Sequence, residues 1–138
     1  MEQAGLVAPI LALVLWTLVI WLWMYATRIP ALRKAKIDPQ EAARTRELNL
    51  PPEIMQISDN YNHLMEQPTI FYATALAAQV AGQADGLAVG LAWGYVGLRV
   101  VHSLIQCTVN NVLMRFTVFS ISTIVLAALV ISTALGML

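Results

Sequence analysis

The sequence is poor in charge. Asp, Glu, Lys and Arg make up 12% of its 138 residues, where a soluble domain usually carries about 25%. With a hydrophobic share of 59%, that shortage excludes an ordinary water-soluble fold and leaves an integral membrane protein. Cysteine is nearly absent: Cys107 stands alone, so no intrachain disulfide forms and the thiol reads as packed or interfacial. Histidine occurs only at His63 and His102, too few and too weakly spaced with the sparse carboxylates for a metal centre. The formal net charge is zero, and nothing in the sequence suggests a nucleic-acid partner. The partner the composition does demand is a lipid bilayer.

What the chain has instead is long apolar runs. A span needs roughly 20 mainly apolar residues, and four fit, at about 6–26, 54–81, 86–109 and 116–138. They form a single membrane domain with no separate soluble part. The first run is followed, not preceded, by its basic residues, which reads as a retained span and not a cleaved signal. Trp21, Trp23 and Tyr25 at its end suit an interfacial anchor belt.

Six of the eight basic residues lie between Arg28 and Arg46. They place the loop 28–53 in the cytosol by the positive-inside rule. Within it, Asp38, Pro39 and Glu41 predict the start of a short surface helix reaching about residue 48. With four spans, both termini face away from the cytosol, on a side where no Lys or Arg falls. Pro68 predicts a kink beside Glu66 in the second span. Ala73, Ala77 and Ala81 form one small-residue ridge, and Gly86, Gly90 and Gly94 another. Such ridges let membrane helices approach closely, here as hairpin partners or across a subunit boundary.

Two polar stripes interrupt the apolar helices. Asp59, Asn62 or His63, and Glu66 share one face of the second span, and Arg99, His102, Gln106 and Asn110 share one face of the third. Counted from the turn at residues 82–85, Glu66, Arg99 and His102 all lie about 21–25 Å down, and Asp59 and Asn110 about 36–38 Å. The depths match. A headgroup-solvated helix end explains one such stripe, but not two at the same depth. Glu66 facing Arg99 is expected as a charge pair, either a packing device or part of a polar pocket on the cytosolic side. Arg99 and Arg115 are the groups to hold a carboxylate or favour a thiolate. Glu66 is the group to hold an ammonium, and the two histidines are candidates for hydrogen bonding.

The segments His63-Leu-Met-Glu66-Gln-Pro68-Thr-Ile-Phe71 and Leu98-Arg99-Val-Val-His102, set in a four-span layout with a basic first loop, resemble the MAPEG family, the membrane-associated proteins of eicosanoid and glutathione metabolism. The resemblance covers essentially the whole chain. It implies an all-α, MAPEG-like integral membrane four-helix bundle, assembled as a homotrimer, with glutathione between neighbours near the cytosolic face. By position, Glu66 would hold the amino end of glutathione, with Asn62, His63, His102 and Gln106 as further contacts. Arg99 would line the site, and Arg115 would lie near the arginine that activates the thiol in some members.

The sequence departs from that pattern at three places. Asp59 stands where glutathione-binding members often carry arginine, His63 where they carry asparagine, and Gln106 where they carry tyrosine. The expected function is a glutathione-dependent transferase or peroxidase acting on a lipophilic small-molecule electrophile. The alternative is a non-catalytic binding or scaffold subunit that keeps the fold without the chemistry.

Overall fold

A computed structural model describes residues 4–45 and 49–138. The described chain is helical, with no strand. Its elements are α1 (Val7–Lys34), α2 (Pro39–Thr45), α3 (Pro52–Leu64), α4 (Pro68–Val80), α5 (Gly86–Cys107) and α6 (Val112–Gly136). Three of them, α1, α5 and α6, are long and apolar enough to cross a membrane. Glu2, Arg46 and the end of the expected surface helix lie outside the described residues.

The second apolar run is not the one kinked helix the sequence suggests. It is two helices, α3 and α4, separated at Met65–Gln67. Pro68 has no N–H to close a turn on the Leu64 carbonyl. The chain tightens instead: the Met65 amide bonds the Asn62 carbonyl at 3.0 Å, and the Glu66 amide bonds that of His63 at 3.3 Å. Pro68 then opens α4 at the position where a missing donor costs nothing.

The other boundaries have local causes. At the end of α4, Gly82 adopts φ +74°. The Gln83 amide bonds the Ala78 carbonyl at 2.8 Å and the Gly82 amide that of Gln79 at 3.2 Å, a paired C-terminal closure that needs the left-handed residue. Asp85 then caps α5 by accepting from the Ala88 amide at 2.8 Å. α1 runs past its apolar stretch through Pro30 to Lys34. α6 starts at Val112, before residue 116, because Asn111 caps it by accepting from the Met114 amide at 3.0 Å.

The core follows helical phase. Leu6, Ile10, Leu13, Thr17 and Ile20 line the inner face of α1 at alternating spacings of four and three, the repeat that keeps one seam against its neighbours. Opposite them lie Phe71, Ala75 and Ala78 of α4, and Ala88, Ala92, Tyr95 and Val96 of α5. Phe71 stacks on Tyr95 with ring centroids 4.8 Å apart. α5 and α6 make the most extensive helix pair. The alanine and glycine ridges do not meet inside the subunit: Ala73, Ala77, Ala81, Gly86, Gly90 and Gly94 are all exposed, and α4 turns Phe71, Ala75 and Ala78 inward instead. Leu11, Leu15, Leu18 and Leu22 of α1 are exposed as well, an apolar surface suited to a bilayer and not to water.

Gln67, in the break, ties three elements together. Its Nε2 donates to Thr123 Oγ1 of α6 at 2.9 Å, and its Oε1 accepts from the Tyr95 hydroxyl of α5 at 3.1 Å. Replacing it leaves the deeply buried Tyr95 hydroxyl without an acceptor. Gln67→Leu is expected to destabilise the protein by about 1–3 kcal/mol, and Tyr95→Phe by less because its loss leaves no buried donor. Thermal unfolding of both variants in one detergent checks the order, and equal melting temperatures would contradict it.

Candidate functional site

Arg99 stands at the centre of the polar interior. It is the largest fully buried side chain among the described residues. Residues 88, 92, 95, 99, 102 and 106 all fall on the inner face of α5, so the helical repeat that buries Ala92 and Tyr95 also buries Arg99, His102 and Gln106. The guanidinium reaches across to α3. Its Nη2 lies 2.6 Å from His63 Nδ1 and donates at 3.4 Å to the His63 carbonyl. Its Nε and Nη1 have no hydrogen-bond partner. The Arg99 Cζ lies 5.7 Å from the Phe119 ring centroid, within reach of a cation–π contact.

His63 is held on its other sides too. It stacks on His102 of α5, centroids 4.8 Å apart and planes 11° apart. Phe119 of α6 meets it edge-on at 5.1 Å. Three helices thus converge on one imidazole. Beside it lies a cavity of about 270 Å³. Its polar lining is His63, His102, Gln106 and Arg115, and its apolar lining is Val112, Phe116 and Phe119. Among the described residues no carboxylate lines it. With one cation in the wall, a second buried behind His63, and three aromatic or aliphatic side chains closing the rest, the cavity suits the anionic end of a ligand whose remainder is apolar.

Of the residues singled out by sequence, the structure brings His63, Arg99, His102, Gln106 and Arg115 together. Asn62, Glu66 and Asp59 it places elsewhere: all three are exposed, and none lines the cavity. The expected ion pair between Glu66 and Arg99 is not formed in the chain, where Arg99 takes His63 instead. The reason is helical phase. The inner face of α3 runs Gln56, Ile57, Asn60 and Leu64, which turns Asp59 and Asn62 outward, and Glu66 sits in the break beyond the helix. Among the described residues no group of three or more His, Cys, Asp and Glu side chains is placed to hold a metal ion.

Several polar residues of the interior escaped the stripe argument. Asn60 is fully buried with both amide atoms unpartnered, and Ser103 is fully buried with its hydroxyl unpartnered. Gln56 donates to the Thr108 carbonyl at 3.0 Å, closing α3 onto the end of α5. The signal for Asn60 was present: it stands three residues after Ile57 and four before Leu64, on the apolar and not the charged face. Gln67 had no such signal, because a residue in a helix break has no phase.

The MAPEG family profile matches residues 6–135, nearly the whole chain. Neither the curated proteins nor the solved structures contain a significant match. An all-helical chain with three membrane-capable helices, an Arg-x-x-His segment facing inward on α5 and a family match from end to end lead to one conclusion: this protein is an integral membrane protein belonging to the MAPEG family.

Proposed function

We propose that the chain is a four-span subunit of a homotrimer that binds glutathione and directs its thiol at a lipophilic electrophile, as a transferase or peroxidase. The observation that carries this reading is the cavity beside His63, which combines Arg115, two imidazoles and an apolar wall, with no carboxylate.

The four-span reading makes α3 and α4 together the second pass. α4 alone has 13 residues, about 20 Å of helix against a hydrocarbon core near 30 Å. The basic end of α1 then faces the cytosol, as does the cavity, and both termini face away. The trimer reading draws on what the single subunit leaves uncovered. Glu66 is exposed at membrane depth, where an unpaired carboxylate against lipid is costly. A neighbouring subunit covering that face would remove the cost and bring Glu66 to a site between subunits, where it can hold the glutathione amine. The exposed alanine and glycine ridges suit the same close approach.

In this reading the cavity receives the thiol. The positive potential of Arg99 and Arg115 favours the thiolate over the thiol, with the proton leaving to solvent. The apolar wall of Val112, Phe116 and Phe119 takes an electrophile arriving from the bilayer, and the thiolate attacks it there. A carbon–sulfur bond forms as the leaving group departs with its electron pair. With a hydroperoxide, attack breaks the O–O bond to release the alcohol and leaves a sulfenic acid, which a second glutathione converts to the disulfide and water. Asp59, which would repel a glutathione carboxylate, lies outside the cavity lining. One observation favours the scaffold alternative: Arg99 is fully buried, and its one hydrogen-bonding nitrogen is spent on His63, as in a packing device.

Calorimetric titration separates the two. Glutathione and S-methyl-glutathione are each expected to bind saturably to the detergent-solubilised protein in the millimolar range. Arg115→Leu is expected to weaken glutathione binding about tenfold or more, the scale of a hydrogen bond to a charged group. No heat with either compound, from protein shown to be folded and assembled, would leave the scaffold reading. Native mass spectrometry of the same sample is expected to give three subunits, and a monomer would contradict the intersubunit role of Glu66.

A further inference from the structure

We propose that His63, locked in one tautomer by Arg99, is the hydrogen-bond donor that holds the ligand thiolate in the cavity. The proposal rests on the glutathione reading above and names the group that meets the thiol.

The argument begins with the 2.6 Å contact between Arg99 Nη2 and His63 Nδ1. A guanidinium has donors only and stays charged. His63 Nδ1 must therefore be the acceptor, and the single proton of the neutral ring must sit on Nε2. A doubly protonated ring would set N–H against N–H across that contact. Arg99 thus fixes which nitrogen carries the proton, as a partner on one ring nitrogen does in general.

Ring orientation is fixed as well. The second bond from Arg99 to the His63 carbonyl anchors the backbone of the same residue. His102 stacks on one face of the ring, and Phe119 meets it edge-on. With Nδ1 turned toward the buried arginine, Nε2 lies on the opposite edge of the ring. No protein group among the described residues accepts from it, and His63 lines the cavity. An oriented N–H beside the apolar wall of Phe116 and Phe119 acts on a developing anion without first having to reorganise. Arg99 acts through His63, and so is a positioning residue. His63 is the group that touches the ligand.

The tautomer is measurable without any ligand. The protein has only two histidines, so nitrogen NMR of histidine-labelled protein in detergent, with His63→Gln to assign the signals, reports the protonation of each ring nitrogen. His63 is expected with its proton on Nε2 and none on Nδ1. A proton on Nδ1, or on both nitrogens, would overturn the proposal at its base.

The second measurement is the near-ultraviolet thiolate absorption of bound glutathione. Wild type and His63→Gln, whose amide nitrogen takes the place of Nε2, are expected to show it. His63→Leu is expected to lower the bound thiolate fraction about tenfold. An unchanged band in His63→Leu would remove the donor role. A wild-type protein with the expected tautomer and no glutathione binding would instead overturn the reading of the cavity, and the donor role with it, while leaving the Arg99–His63 pair intact. The two failures are therefore distinct.

Discussion

One fully buried guanidinium constrains the whole assembly. A charge withdrawn from water is tolerated only when other groups converge on it, and removing the partner of a buried charge typically costs about 3–5 kcal/mol. Here the partner is a single imidazole and its own carbonyl. Satisfying Arg99 therefore dictates how closely α3 approaches α5 and which way the His63 ring turns. The ring in turn positions the stack with His102 and the edge contact with Phe119. The polar wall of the cavity follows from one desolvated cation seeking an acceptor.

The break between α3 and α4 makes that arrangement possible. In an unbroken helix the His63 carbonyl would be taken by the amide four residues on. Pro68 ends that pattern, and the carbonyl is shared between a 3.3 Å bond from the Glu66 amide and the 3.4 Å contact from Arg99. The same break frees Gln67 from helical duty and lets it link Tyr95 to Thr123. A feature that looks like a loss of secondary structure thus supplies two of the contacts that hold α5 and α6 in place.

Much of this was legible in the sequence, for identifiable reasons. Apolar run length gave α1, α5 and α6, and Pro68 marked the position of the discontinuity. The inward stripe of Arg99, His102 and Gln106 followed from spacing alone, because α5 is one regular helix, whereas Asn110, expected on the same face, falls beyond the end of α5 at φ +50°. The stripe on the second run failed where regularity failed. Periodicity treats residues 59 to 66 as one helix, so it gathered Asp59, Asn62 or His63, and Glu66 onto one face, of which the chain turns only His63 inward. Charge also misled. It drew the pairing of Arg99 toward Glu66, whereas the contact formed is with the imidazole three residues earlier. Asn60 was overlooked because it sits among apolar neighbours, where an amide is the exception.

The start of α1 has a consequence for how the protein is made. The Leu6 amide, at the N-cap of that helix, finds its acceptor in the side chain of Gln79, at 2.7 Å. The groups are 73 residues apart in the chain. α1 precedes α4 in the chain, so its first turn is made before its acceptor on Gln79 is available. That turn must be served by water or lipid headgroups until Gln79 of α4 comes alongside. The N-terminal end of α1 is thus completed only once α4 has packed against it, although α1 comes earlier in the chain.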